Sequence, residues 1–341
     1  MGRRGATLLL GAVLLLLLIW QAGTAPVPYV ELGPGPTENT LGTHDGKPII
    51  TIEGQAETKS AGQLRLTTVN VRDNLTLLDA VRGWISGDSS VVPRDLVYPP
   101  DKTEEQVDQE NANSFKASQT SAETVALRKL GFPVLVTVTE VGAGLPAENT
   151  LKAGDVITTI DGTTVTSSQK LRDLVRAKPA GAVLQVGYTR DGVAAVAGVA
   201  TAPGEDGAPR LGVVIEHKQP APFDVKFDLD RIGGPSAGLM FALGVIDKID
   251  PADLTGGIRI AGTGTIDDDG NVGPIGGIPQ KLVGAKDAGA QIFLVPADNC
   301  AEALRNAVPG LPMAKVATVD DALTALQTFT TGGTPAPCTA S

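Results

Sequence analysis

The sequence predicts an α+β protein built as an N-terminal transmembrane helix, a β-rich domain, and a domain of mixed α/β layers. Three observations carry this expectation. Ala6 to Ala25 form one apolar stretch, unbroken in leucine from Leu14 to Leu18. Beyond it, β-branched, strand-like segments alternate with segments of helical period. A Gly-, Pro- and acid-rich stretch at 200–210 divides the remainder, and 341 residues give room for two or more folded units.

Arg3 and Arg4 precede the apolar stretch, which is long enough to cross a hydrocarbon core and would leave everything after it outside the cytoplasm. Residues 1–26 are thus expected to be a cytoplasmic stub and membrane anchor. A cleaved signal peptide is the rival, because Gly23 and Ala25 are small enough for a peptidase site. Residues 27–46, with Gly33-Pro34-Gly35-Pro36, read as a linker that cannot bury a core.

Ordered structure is expected from Lys47. Ile49–Ile52 and Leu64–Val71 have strand character, and 75–85 and 118–130 have helical character with Gly131 as a stop. Between the two helices, 99–113 is crowded with Asp and Glu and reads as a solvated surface segment. A β-rich unit spans 131–200: a strand at 134–138, a turn through Gly142–Gly144, Ile157 and Ile160 in a second strand, a helix at 168–176 and a strand at 183–188. Residues 205–330 give strands at 211–216, 223–229, 258–260 and 292–295, and helices at 236–249, 280–288 and 301–308; 331–341 read as a tail.

An excess of 38 acidic over 28 basic residues, net charge −10, works against a nucleic-acid surface and against adhesion to anionic lipid. The two cysteines, Cys300 and Cys338, could pair in an oxidising compartment or be unrelated thiols. With His44 and His217 they match no metal-ligand spacing, and no metal or cofactor is expected. Asp267-Asp268-Asp269-Gly270-Asn271 lacks the later glutamate of a calcium loop and reads as a polar turn.

The candidate chemistry lies in Gly233-Gly234-Pro235-Ser236-Ala237-Gly238 and in Gly276-Gly277-Ile278-Pro279-Gln280-Lys281. A serine hydroxyl needs a base to take its proton, and a desolvated lysine amine can be that base. Pro235 suits the first turn of a helix, which places Ser236 where free N–H groups carry partial positive charge for an oxyanion. Ala237 and Gly238 leave room for a carbonyl. Lys281 follows a proline near another helix start among apolar neighbours, so burial and the helix's positive end both disfavour its ammonium form. By composition alone, a turn and a solvated lysine remain the competing reading.

From Val134 through Leu151-Lys152-Ala153-Gly154-Asp155-Val156-Ile157 and Ile160-Asp161-Gly162 to Tyr188, the sequence resembles a bacterial PDZ domain. That resemblance implies capture of an extended peptide by strand addition, with Leu130-Gly131-Phe132 as a carboxylate-cradling loop or, equally, as a helix stop. Gly234–Gly238, Ala261-Gly262-Thr263-Gly264-Thr265, Gly270 to Leu282 and Lys286 to Pro296 together resemble the proteolytic domain of the Lon family. With an N-terminal anchor and a PDZ domain, the chain is similar to the Lon-like (peptidase family S16) membrane-anchored PDZ serine proteases of the YlbL type.

The resemblance implies Ser236 as nucleophile, Lys281 as general base and Thr263 beside the amine. It departs at Gly233, where many Lon domains carry an acid, which touches pocket electrostatics rather than the dyad. No Gly-x-x-x-x-Gly-Lys-Ser/Thr phosphate loop occurs in these residues, so cleavage of polypeptide without ATP is expected. By the same resemblance, 47–130 contain a strand and helix that complete the protease fold around an inserted PDZ unit, and copies can assemble as a hexamer. The reading from another class is a non-catalytic PDZ adaptor at the membrane surface.

Overall fold

The structure is a computed structural model and describes residues 3–204, 206–229 and 233–339. Residues 1–2 of the expected anchor, residue 205 at the expected start of the proteolytic unit, and residues 340–341 of the tail lie outside the described residues, as do the side chains of Arg3 and Arg4.

Helix α1 (Arg3–Thr24) contains an 18-residue window, Thr7–Thr24, of mean hydropathy 2.0 that is 6% buried. It is long and apolar enough to cross a membrane, a test that a signal sequence passes as well. The elements that follow are β1 (Tyr29–Asn39), β2 (Ile50–Glu53), β3 (Gln63–Arg72), α2 (Leu77–Ile85), β4 (Ser90–Pro93) and α3 (Glu104–Lys129). Next come β5 (Leu135–Val141), β6 (Val156–Ile160), α4 (Ser168–Arg176), β7 (Val183–Arg190), β8 (Val193–Ala200) and β9 (Val213–Lys218). The remainder is β10 (Asp224–Phe227), α5 (Gly238–Ile249), β11 (Arg259–Gly262), β12 (Thr265–Ile266), β13 (Val272–Gly273), α6 (Ile278–Asp287), β14 (Ile292–Pro296), α7 (Cys300–Arg305), β15 (Met313–Val316) and α8 (Val319–Thr330).

One six-stranded sheet runs β15-β14-β11-β3-β1-β4. Its β3, β11, β14 and β15 are parallel, and β1 and β4 close one side antiparallel. Successive residues of a strand face opposite ways, and here both faces are covered. Ile292 and Leu294 join a core with Phe115, Val125, Leu239, Phe241 and Leu326. Phe293 and Val295 join a second core with Ile278, Leu282 and Ala285. The first core draws on 49–127 and on 221–329, so the sheet and its helices are made from both ends of the chain.

A separate core, Val134 to Leu211, belongs to the second sheet, whose main path is β8-β7-β6-β5-β9. Because β9 pairs with β5 over 213–218, this sheet extends past the expected boundary at 200, and the strand read at 211–216 belongs here rather than to the proteolytic unit.

One further expectation is corrected. Residues 29–39, read as linker, form β1: β4 pairs only with Tyr29–Leu32, and the pairing with β3 shifts between Pro34 and Thr37, so the prolines fall where donors are not needed. Gly35 is required there, since a Cβ would lie 2.8 Å from the Thr68 carbonyl carbon. The acidic segment 99–113 is solvent-exposed, as its charge suggests, and largely helical: Thr103 and Gln106 form a capping box that starts α3, and Glu104 and Glu105 suit its first turn. Of the two readings of the cysteines, the structure has the pair: Cys300 is bonded to Cys338, and Lys315 N donates to Ala336 O, so the tail is tied down.

Candidate active site

Ser236 lies just ahead of α5, whose N-cap is Ala237, and not in its first turn as the proline suggests. Gly234 takes φ +82°, a conformation that L side chains resist, and turns the chain before Pro235. Three contacts from two sides hold this loop. Gly234 N donates to Asn111 O at 2.9 Å and Ser118 Oγ donates to Pro235 O at 3.1 Å, both acceptor and donor supplied by α3. Gly264 N donates to Ser236 O at 2.9 Å. At Gly238 a Cβ would meet Ile266 Cγ2 at 2.7 Å and Ser118 Oγ at 2.8 Å, so glycine lets α5 approach β12 and α3.

Lys281 stands one turn into α6, after the N-cap Gly277 at φ +74° and Pro279. Its side chain is 3% exposed among Ile278 and Leu282. Lys281 Nζ lies 2.8 Å from Ser236 Oγ and 2.9 Å from Thr263 Oγ1. The Thr263 hydroxyl donates onward to Ser236 O at 3.0 Å. Burial lowers the lysine's pKa from 10.5 to about 7, so amine and ammonium are both accessible near neutrality. Thr263 spends its proton on the Ser236 carbonyl and keeps a lone pair toward the lysine, which aims the amine at the serine hydroxyl.

Ser236 and Lys281 open onto a cleft of about 650 Å³ that Thr67–Asn70 of β3, Pro235, Ala237, Thr265 and Ile275 also line, with Thr263 buried behind them. Beyond Leu66, β3 has no partner on the side where β11 ends, among the described residues. A free strand edge beside a nucleophile can hold an extended chain by backbone hydrogen bonds.

A second concavity, about 630 Å³, lies between α4 and β9 and includes Leu171, Val175, Leu211, Gly212 and Val213 in its lining. The edge of the sheet here is β9, while β5 sits between β6 and β9. Leu130-Gly131-Phe132 therefore precede an interior strand: Leu130 caps α3, Phe132 packs edge-on against Phe223 at 5.4 Å, and its carbonyl accepts from Gln219 Nε2 at 2.7 Å. The string missed in the sequence is Leu211-Gly212-Val213, which leads into β9 with Gly212 at φ +84°. Among the described residues, no cluster of three or more His, Cys, Asp or Glu could hold a metal ion. The 267–271 segment is a turn in which Asp267 carboxylate oxygens accept from the Asp269 and Asn271 backbone N–H groups.

Residues 231–327 match the Lon protease (S16) C-terminal proteolytic domain, and residues 108–201 match the PDZ domain. Lon protease 2 of Bacillus subtilis (strain 168) is 33% identical over 110 residues, which cover 31% of this chain and 19% of that protein. Lon protease of Azospirillum brasilense is 40% identical over 96 residues, covering 26% and 11%. The matched regions thus span less than a fifth of either relative. Among solved structures, the PDZ domain of the SdrC-like protein from Listeria monocytogenes is 31% identical, covering 24% of this chain and 85% of that one, with a TM-score of 0.23. The corresponding Listeria innocua domain is 30% identical, covering 25% and 96%, with a TM-score of 0.24.

Proposed function

We propose, from the premise that the chain is a Lon-like protein of the S16 type containing a PDZ domain, that it is a serine endopeptidase acting on polypeptides without ATP. The observation that carries this is the buried Lys281 amine within 2.8 Å of Ser236 Oγ. In its neutral form Lys281 takes the Ser236 proton as Oγ attacks a peptide carbonyl. The oxyanion then faces the N–H groups at the start of α5, where the helix dipole is positive. Lys281, now ammonium, returns the proton to the leaving amine, the amine departs, and Ser236 holds the acyl group. Water, deprotonated by the same lysine, attacks the acyl carbonyl, and Oγ recovers its proton as the acid product leaves.

An extended substrate lies along Thr67–Asn70, and the α4–β9 groove of the PDZ unit captures another stretch of the same chain. The reading includes α1 retained as an anchor, with the cleft outside the cytoplasm. Residues 47–130 complete the protease fold by this reading, and assembly into a ring of six rests on family resemblance alone.

Casein cleavage by the full chain in detergent, with and without ATP, tests the proposal. The wild type should cut equally in both conditions, while Ser236→Ala and Lys281→Ala should each lose about 10³-fold or more. Equal activity in all three proteins would sink the dyad.

A further inference from the structure

The outer side of α2 carries Leu77, Leu78, Val81, Trp84 and Ile85 in one helical stripe, with Leu78 53%, Trp84 57% and Ile85 81% exposed. The inner side, Ala80 and Gly83, is buried, and a Cβ on Gly83 would lie 2.5 Å from Val91 Cγ2 of β4. The helix is therefore fixed on the protein and still turns its largest apolar residues to solvent. Singly exposed apolar residues are ordinary, but five in one stripe of a nine-residue helix are not.

What covers this stripe follows from where it lies. Leu77 N donates to Ala25 O at 3.1 Å and Val27 N donates to Leu75 O at 2.9 Å, so the start of α2 is tied to the residues that leave α1. Leu78 Cδ1 lies 3.1 Å from where a Cβ on Gly23, in the last turn of α1, would stand. Leu96, 73% exposed, is on the same approach, since Arg94 N donates to Pro28 O at 3.0 Å. Trp84 meets Tyr29 edge-on at 5.8 Å, and Arg82, on the same helix, is exposed. Aromatic rings and a long cation at the end of an apolar span are the chemistry of the bilayer interface.

We infer that α2 is a membrane-interface helix: its stripe enters the headgroup and upper acyl region of the leaflet from which α1 emerges, and so holds the β1–β4 edge of the sheet against the bilayer. This rests on α1 being retained as a span. The partner is lipid rather than a soluble protein, because a residue in contact with the last turn of a spanning helix lies at headgroup depth.

The chain has two tryptophans, so Trp20→Phe leaves Trp84 as the single reporter. This full-length variant is reconstituted in phosphatidylcholine–phosphatidylglycerol vesicles with plain or brominated acyl chains. The inference expects blue-shifted Trp84 emission, quenched by about half or more in brominated lipid, and weaker quenching after Leu78→Glu with Ile85→Glu. Solvent-like emission, unquenched by brominated lipid in a chain that stays with the vesicles after carbonate washing, overturns it while leaving the anchor intact. Blue-shifted emission that bromine does not quench, and that reverts at one chain per vesicle, assigns the stripe to a second copy and also overturns it. Release of the chain by carbonate overturns the anchor and this inference together.

Discussion

Lys281 Nζ stands 2.8 Å from Ser236 Oγ with only 3% of the lysine exposed, so a group normally charged in water is held where its charge is poorly solvated. Burial brings its pKa to about 7. Activity requires the amine, so kcat/KM measured on a short peptide should fall about tenfold per pH unit below 7 and level off above it. Lys281→Arg, which keeps a permanent charge, should be inactive across the range. A flat profile between pH 5 and 9 would exclude the lysine as base.

The same shift has a stability consequence with a definite sign. The folded pKa of about 7 lies below the ordinary 10.5, so between those values the unfolded chain binds more protons. Stability should therefore rise with pH through that window and lose its Lys281 component as pH falls toward 7. Denaturant melts of wild type and Lys281→Met at pH 7 and 10 should differ in this component, with the methionine variant showing the flatter dependence.

Thr263 shares its hydroxyl between the lysine and the Ser236 carbonyl, at 2.9 and 3.0 Å. Thr263→Val keeps the shape and loses both contacts, and should cut kcat by about 10- to 100-fold with little change in KM. Thr263→Ser should recover most of the loss. Steady-state kinetics on one peptide distinguish this from general unfolding, which would not be rescued by serine.

The pairing of Ser236 with Lys281 was legible in the sequence through the resemblance of Gly-Pro-Ser-Ala-Gly and Gly-Ile-Pro-Gln-Lys to the Lon proteolytic domain, since by composition alone a turn and a solvated lysine competed; the structure brings the two to 2.8 Å. What was not legible depended on distant pairing. Pro34 and Pro36 argue for a spacer until β3 supplies a partner whose register sets Pro34 opposite Val69 and skips Gly35 and Pro36. The start of α3 was hidden by its charge, since the helix signal there is a capping box and not an apolar stripe. Leu130-Gly131-Phe132 resembled a carboxylate loop locally, and only the sheet order shows that β9, not β5, owns the free edge.

Residues 205–330 expressed alone should be insoluble or unfolded. They would keep β11, β14 and β15 but lose β1, β3, β4 and α3, and with them the cover over Leu239 and Phe241 and the two contacts from α3 to the serine loop. A cooperative, active fragment would refute the co-folding of 47–130.

Cys300 and Cys338 close a loop of 38 residues, for which chain entropy gives a stabilisation of about 4 kcal/mol. Cys338→Ser should lower Tm and free the tail that pairs through Ala314 and Pro337. Thermal melts with and without reductant, compared with the variant, measure this directly, and reductant should have no effect on the variant.

If the α4–β9 groove captures substrate as proposed, capture and cleavage can be separated by mutation. Leu171 and Val175 line it from α4, and neither lines the cleft at Ser236. Both also belong to the core of that sheet, so a large charged replacement would confuse binding with folding. The exposed Val214 on β9, which is outside that core, avoids this difficulty, being 54% exposed. Val214→Glu places a charge in the groove lining on the edge strand while leaving the β9–β5 ladder, which the Val214 backbone joins, intact. It should raise KM for a protein substrate several-fold and leave hydrolysis of a short peptide, which needs only the cleft, unchanged. If both substrates suffer equally, with the variant still folded by circular dichroism, the groove has no part in presenting the chain to Ser236.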